Sequence, residues 1–220
     1  MNRVNDREED RVATELYFPT PIYIVEKPEY LIRVSAASEE SLERVRAEHP
    51  PNEIYPCYMS DSLLEDPRVD DFIGYVGETA WGILHDQGYY LDDTEVYFSE
   101  MWTQEHHKYS SMEQHAHGYG AQIVGFYFLE VPDEPPLATF YDPRSSKLMA
   151  DLRERDPREV TVASRMVTFK PKPGMLIFTN AWLAHSFGRN VSNKPFKFVH
   201  FNINARAASQ NCRVPEVEIV

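Results

Sequence analysis

From Tyr89 onward the sequence consists of short runs of β-branched and aromatic residues separated by Gly, Pro and Asn. Runs of this length and composition are typical of β-strands. They cover residues 95–102, 123–131, 160–170, 175–178 and 196–203. This feature constrains the fold most strongly, and it predicts an all-β sandwich or barrel for the C-terminal two-thirds of the chain.

The N-terminal third has helical patterns instead. Asp66-Pro67 is a cap followed by proline, and apolar residues then recur every three or four positions until Gly88, which predicts a helix. A shorter helix is predicted over residues 38–48, capped by Ser38 and ended by Pro50-Pro51. The proline pair within residues 15–25 favours an edge strand or an extended arm.

These patterns predict one mainly β domain with a helical layer over residues 1–220. Within it we expect a flexible segment at 1–15, an arm and helices at 16–88, the β core at 89–205 and a tail at 206–220. A chain of 220 residues is long enough to bury a core without disulfides.

Composition excludes several classes of function. The 22 basic and 35 acidic residues give a net charge of −13, which argues against general binding to nucleic acid or to an anionic membrane. Two cysteines, Cys57 and Cys212, cannot build a disulfide framework. No apolar run is long enough to span a bilayer. We therefore expect a cytoplasmic protein.

Histidines are concentrated in one short stretch. His115 and His117 are two residues apart, so on a strand both side chains leave the same face with Cα atoms about 6.5 Å apart. Both imidazoles could then bind one metal ion. The spacing equally allows a hydrogen-bonded surface histidine beside an incidental one. His185 follows an apolar, aromatic strand, where a lone histidine is either a ligand or a satisfied core residue.

Six motifs in a fixed order resemble the iron(II)/2-oxoglutarate-dependent dioxygenases, and most closely a group of small bacterial and phage members of that superfamily. The resemblance covers about residues 15–204. The motifs are Leu16-Tyr-Phe-Pro-Thr-Pro21, His115-Ala-His117, Ile123-Val-Gly-Phe-Tyr-Phe-Leu129, Asp142-Pro-Arg144, Gly174-Met-Leu-Ile-Phe178 through His185, and His200-Phe-Asn202.

This resemblance implies a double-stranded β-helix, the jelly-roll or cupin-like fold, with helices packed on one sheet. It also implies Fe(II) bound by His115, His117 and His185, with 2-oxoglutarate as co-substrate. The expected reaction is hydroxylation of a small-molecule or peptide substrate, coupled to oxidative decarboxylation of 2-oxoglutarate to succinate and CO2. A homodimer is compatible with these features.

The chain departs from the family pattern at the metal. Most members use two histidines and one carboxylate, with Asp or Glu where this chain has His117. Neutral imidazoles leave the full 2+ charge on the metal, so an anionic co-substrate should bind more strongly. Alternatively, Glu113 or Asp142 supplies the third ligand, and one of the three histidines contacts a metal ligand rather than the metal itself.

A second departure concerns the basic residue that pairs with the distal carboxylate of 2-oxoglutarate, because Phe196 occupies its expected position. Lys194 is the first candidate to replace it, followed by Arg144 and Lys197. Lys197 is expected on the opposite strand face unless a bulge intervenes. Residues 160–215 hold eight basic and no acidic residues, which predicts a locally cationic site.

Other side chains are candidates for supporting positions. Tyr127 and Asn202 are candidate co-substrate contacts, and Trp102 and Trp182 are expected in the core or the cleft wall. Two other functions stay open at this point. One is a three-histidine, cupin-like oxygenase that does not use 2-oxoglutarate. The other is a non-catalytic jelly-roll interaction module, since this fold also serves such roles.

Overall fold

The computed structural model describes residues 15–49, 56–118, 120–150 and 152–208. The expectations for residues 1–14, for Pro50-Pro51, for Cys212 and for the tail beyond residue 208 lie outside these ranges.

The described chain alternates short strands with two α-helices near its N-terminal end. The helices are α1 (Leu31–Glu48) and α2 (Asp70–Asp86). The strands are β1 (Ile22–Glu26), β2 (Cys57–Met59), β3 (Thr94–His106), β4 (Met112–His115), β5 (Ala121–Glu130), β6 (Ala138–Tyr141), β7 (Met166–Phe169), β8 (Met175–Asn180), β9 (His185–Phe187) and β10 (Phe196–Ala207).

The strands form two antiparallel sheets that face each other. The larger has the order β1-β8-β5-β10-β3-β2 and the smaller the order β4-β9-β6-β7. The helices pack on the outer face of the larger sheet, while its inner face lies toward the smaller sheet. This is the jelly roll with a helical layer that the sequence predicts.

Strand β10 shows how one sheet serves two cores. Alternate side chains of a strand point to opposite faces. Val199 and Phe201 therefore pack under the helices, whereas Phe196 and Phe198 pack between the sheets. Burial on both faces explains why the strands read as almost continuous apolar runs rather than alternating ones.

The helix predicted after Asp66-Pro67 is confirmed, and the helix predicted over residues 38–48 needs correction. Asp66 caps a short 3-10 turn by accepting a hydrogen bond from the Arg68 amide, and α2 follows directly. Ser38 does not cap α1, because the helix begins seven residues earlier. Its buried hydroxyl bonds the Val34 carbonyl at 2.7 Å and the Thr103 hydroxyl at 2.6 Å, so it joins α1 to β3.

The strand predictions are mostly confirmed, with differences in length. Strand β1 is an edge strand, as the proline pair indicated. The predicted strand over 160–170 shortens to β7 because a turn precedes it, in which the Ser164 amide donates to the Thr161 carbonyl and the Thr161 amide donates to the Ser164 hydroxyl. Strand β3 is longer than the predicted run over 95–102 and extends to His106. No helix in the described ranges is long and apolar enough to cross a membrane.

Candidate metal centre

Three histidines converge at one end of the space between the sheets. His115 ends β4 and pairs in register with His185 at the start of β9. His117 is fixed two residues later by its amide, which donates to the Ala181 carbonyl at 2.9 Å. One ligand nitrogen from each histidine lies within 4.8 Å of the others. Within the described residues, no other group of His, Cys, Asp or Glu meets this condition.

Backbone contacts orient the rings for a metal. Nδ1 of His115 lies 2.7 Å from the Glu113 carbonyl, and Nδ1 of His185 lies 2.9 Å from the Leu183 carbonyl. A carbonyl only accepts, so both Nδ1 atoms carry the proton and both Nε2 atoms offer a lone pair. Nε2 of His117 and of His185 is buried without a hydrogen-bond partner. These unpartnered nitrogens fit a bound metal ion.

Burial keeps His117 and His185 neutral, as metal ligands must be. Loss of solvation lowers the pKa of His117 to about 4; the neighbouring His115 lowers it further, and Glu100 opposes the shift. Loss of solvation likewise lowers the pKa of His185 to about 3. An uncharged imidazole at neutral pH is ready to bind a cation without first releasing a proton.

A fourth histidine, His200, lies beside these three and was not predicted as a site residue. It is 3% exposed, and its ring centroid is 5.1 Å from that of His117 and 4.7 Å from that of Trp102. The sequence does contain a signal for it. His200 follows Phe196 and Phe198 at a spacing of two, which places it on the same inner face.

Asn202 lies on that face one step beyond His200. Its Nδ2 donates to the Glu100 carboxylate at 2.7 Å, while its Oδ1 is buried without a partner. The inner face therefore changes from aromatic to polar toward the end that carries the three histidines.

The predicted cations do not lie at this site. Lys197 points to the outer face, where its ammonium group is 2.9 Å from Glu39, 3.0 Å from Glu105 and 3.3 Å from Glu130. The side chain of Lys194 is 65% exposed and lies 3.8 Å from Asp133. Lys194 leaves the inner face because it lies in the loop before β10 rather than within the strand.

The remaining candidates also lie elsewhere. Arg144 forms two hydrogen bonds with Asp142, at 2.9 and 2.8 Å, and holds the pKa of that carboxyl well below its usual range. Asp142 and the exposed Glu113 therefore do not join the histidine cluster. The Tyr127 hydroxyl donates to the Lys27 carbonyl at 2.6 Å, on the helical side of the sheet.

The prediction of a locally cationic site is therefore wrong. Where the four central strands of the larger sheet face the smaller sheet, their inward-facing residues include neither lysine nor arginine. Arg206 shares the face of Asn202, but it lies at the far end of β10, is exposed and pairs with Glu95. The inward-facing residues are Glu100, Trp102, Gln104 and His106 on β3; Val124, Phe126 and Phe128 on β5; Met175, Ile177 and Thr179 on β8; and Phe196, Phe198, His200 and Asn202 on β10.

An apolar groove lies near the histidines, none of which lines it. Its volume is about 340 Å³, and Leu16, Phe18, Phe140, Val162 and Leu183 contribute to its lining, with Arg144 at its polar part. Phe140 is its nearest link to the metal ligands, since the Phe140 ring centroid lies 6.1 Å from that of His185. Trp182 was expected in the core or the cleft wall, but it is 49% exposed.

Comparisons with known proteins agree with this arrangement. The family described as "Putative 2OG-Fe(II) oxygenase" matches residues 100–202, which include His115, His117, His185 and His200. No curated protein sequence matches this chain significantly.

Several solved structures share the fold at low sequence identity. A prolyl-4-hydroxylase from Pseudomonas putida is 11% identical, with a TM-score of 0.57 over 86% of this chain and 94% of its own. AviO1 from Streptomyces viridochromogenes is 14% identical, with a TM-score of 0.59 over 87% and 92%. HygX from Streptomyces hygroscopicus, solved with nickel and 2-oxoglutarate, is 11% identical, with a TM-score of 0.53 over 84% and 83%.

Residues 100–202, just under half of the chain, match the 2OG-Fe(II) oxygenase family, and the solved structures share the chain's double-stranded β-helix fold. The three-histidine cluster lies within the matched segment, and its imidazole donors fit the Fe(II) that the family's description names.

Proposed function

We propose that the protein is an Fe(II)- and 2-oxoglutarate-dependent hydroxylase with His115, His117 and His185 as its metal ligands. The observation that carries this proposal is the convergence of three imidazoles, two of which have a buried Nε2 atom with no hydrogen-bond partner. Three ligands on one side of the ion leave positions for a keto-acid chelate and dioxygen.

The bound iron supplies the redox chemistry that couples decarboxylation of 2-oxoglutarate to hydroxylation of a substrate C–H bond. The protein's own residues orient the ligands and exclude water. The Glu113 and Leu183 carbonyls fix two of the rings. The Phe126 ring packs against the rings of His185 and His200, with centroid distances of 5.2 and 5.4 Å, respectively. Phe126 therefore closes the site on the side of the core.

A spectroscopic titration tests this function. Fe(II) and 2-oxoglutarate are added to the protein without oxygen, and the weak visible metal-to-ligand absorption band is recorded. Air is then admitted and succinate is measured. We expect the band and succinate formation, both dependent on added iron. Absence of both would contradict the proposal.

One observation favours a second candidate, a three-histidine oxygenase that binds its organic substrate directly. Phe196 is buried where a basic partner for 2-oxoglutarate is expected, and no lysine or arginine lies on the central strands where they face the smaller sheet. This candidate predicts iron binding without any stabilisation by 2-oxoglutarate. If the protein is a 2-oxoglutarate-dependent hydroxylase, added 2-oxoglutarate should raise its melting temperature, because a ligand that binds only the folded state stabilises it.

A further inference from the structure

The described chain leaves six buried side-chain atoms without hydrogen-bond partners, and they lie together. Two are the Nε2 atoms of His117 and His185, which the metal accounts for. The other four are Trp102 Nε1, Thr179 Oγ1, His200 Nδ1 and Asn202 Oδ1. Unpartnered buried polar atoms are rare, and each one calls for an explanation. We refer to Trp102, Thr179, His200 and Asn202 as the polar shelf.

Strand register brings the members of the polar shelf together, and His200 joins the shelf to the metal ligands, with its ring centroid 5.1 Å from that of His117. His200 pairs with Trp102 on β3 and with Phe126 on β5. Asn202 pairs with Val124, which in turn pairs with Thr179 on β8. The shelf thus forms two neighbouring rows on the inner face of the sheet, next to His117.

The shelf offers mainly hydrogen-bond donors. The Trp102 indole N–H only donates, and the Thr179 hydroxyl can donate. His200 donates from Nδ1 in one of its neutral tautomers. Asn202 already uses its amide N–H on Glu100, which leaves its oxygen as an acceptor. Such a set suits a ligand with acceptor oxygens, such as a carboxylate, that also carries or orders a donor beside Asn202.

The charges of the site favour an anion despite the missing cation. Three neutral imidazoles leave 2+ on the metal, and 2-oxoglutarate carries 2−, so the complex is neutral. With a carboxylate in place of His117 the same complex would carry one negative charge, and a lysine or arginine would be needed to balance it. Glu100, on the same face, is exposed to solvent.

We propose that the polar shelf receives the distal carboxylate of 2-oxoglutarate without a lysine or arginine, and that the all-histidine metal site supplies the balancing charge. The proposal rests on the proposed function. It means that the chain's two departures from the family pattern, His117 and Phe196, compensate each other.

A pair of keto acids isolates the distal carboxylate. The probes are 2-oxoglutarate and 2-oxovalerate, which has a methyl group in place of that carboxylate. Both are titrated anaerobically into the Fe(II)-loaded protein and followed by the absorption band and by calorimetry. We expect His200→Phe and Trp102→Phe to weaken 2-oxoglutarate binding about ten- to hundredfold, since each loses a bond to a charged group. Binding of 2-oxovalerate and the iron content should stay unchanged.

His106→Gln is the matched control. His106 is also a buried histidine on the inner face of β3, but Ser110 and Gln104 satisfy both of its ring nitrogens. This variant should bind both keto acids like the parent protein. If His200→Phe fails to fold, as judged by thermal unfolding, Trp102→Phe and Thr179→Val provide the same test.

A second variant tests the charge argument. His117→Asp restores the family's usual ligand and lowers the charge of the metal site by one. We expect it to retain iron but to bind 2-oxoglutarate at least about tenfold more weakly, with a smaller loss for the singly charged 2-oxovalerate.

The outcomes separate the two proposals. If the parent protein binds iron but not 2-oxoglutarate, the proposed function fails. If it binds 2-oxoglutarate and the shelf variants do so equally well, or lose both keto acids equally, the shelf does not receive the distal carboxylate. Unchanged 2-oxoglutarate affinity in His117→Asp would overturn the charge compensation.

Discussion

His185 is the most buried of the three proposed metal ligands, at 1% exposed, and a backbone carbonyl fixes its ring. Removing it should cost more metal affinity than removing the half-buried His115. We expect His185→Ala to lose stoichiometric iron, because two imidazoles alone do not define one face of the ion. Metal analysis of protein purified without chelator measures this, and His106→Ala is the buried-histidine control. Full iron content in His185→Ala would exclude His185 as a ligand.

Gly125 on β5 leaves no room for a side chain. The closeness of neighbouring atoms, rather than its backbone angles, requires glycine at this position. A Cβ at this position would lie 2.1 Å from the Phe201 ring and 2.7 Å from the Ile177 carbonyl. The ring could rotate, but the carbonyl belongs to the neighbouring strand and is fixed by the sheet.

Gly125→Ala should therefore destabilise the protein by about 1–3 kcal/mol, the usual cost of overpacking a core. Urea unfolding measures the difference. Gly82→Ala in α2 is the control, because a Cβ there meets nothing within 4 Å. In a helix this change is expected to be neutral or stabilising. Equal effects of the two substitutions would show that the close approach is not what requires glycine.

At the scale of elements, an ion-pair cluster joins α1 to the centre of the larger sheet. Its members are Glu39 and Arg46 on α1, Glu105 on β3 and Lys197 on β10. The Glu105 side chain is only 2% exposed, so its charge depends on these partners. Lys197, Arg46 and His107 outweigh the loss of solvation and lower the pKa of this carboxyl.

Lys197→Met should destabilise the protein by about 3 kcal/mol, because it leaves a buried carboxylate with fewer partners. Lys194→Met is the matched control: Lys194 is largely exposed, and surface pairs contribute about 0–1 kcal/mol. Denaturant unfolding of both variants measures the difference. A second substitution, Glu105→Gln, should recover part of the loss, and failure to do so would indicate that packing rather than charge explains the Lys197 effect.

At the scale of the whole molecule, pH should control the stability of the metal-free protein. Burial lowers the pKa of His106 and His117 to about 4, that of His185 to about 3, and that of His200 as well. Between pH 6.5 and about 4 the unfolded chain therefore binds more protons than the folded one, and stability falls as pH falls.

A single histidine with its pKa lowered from 6.5 to about 4 contributes up to about 3 kcal/mol to this loss. Urea unfolding of the metal-free protein at several pH values from 7 to 5 checks the slope. His106→Gln should flatten it. The carboxyls with lowered pKa, such as Glu105, lose their contribution only at lower pH. Stability that does not change across this range would contradict the burial of neutral histidines.

The sequence predicted the architecture and the histidine cluster because both depend on a period of two. His115 and His117 share a strand face, and the short aromatic runs define the sheets. The cation predictions failed because period two does not continue outside a strand. Lys194 lies in the loop before β10. The alternation of side-chain directions, counted from Phe196, therefore does not predict which way the Lys194 side chain points.

Other features depended on contacts between segments far apart in the chain. Ser38 appeared to be a helix cap, but its partner, Thr103, lies 65 residues away on β3. The uneven charge along the sequence also has a tertiary explanation. Basic residues of the C-terminal segment pair with acids from the N-terminal part, as in Arg206 with Glu95, Lys172 with Glu26 and Lys197 with Glu39. These basic residues form ion pairs with distant parts of the chain instead of forming a cationic pocket.

Strand β10 follows every other described strand in the sequence, yet it lies in the middle of the larger sheet between β5 and β3. During synthesis, β3 and β5 must therefore wait with open edges until residues up to about 207 have left the ribosome. Phe198 and His200 arrive on the same strand, so the core and the polar shelf are completed together. The three proposed iron ligands, His115, His117 and His185, all precede β10, so the nascent chain carries them before the strand that completes the polar shelf has emerged.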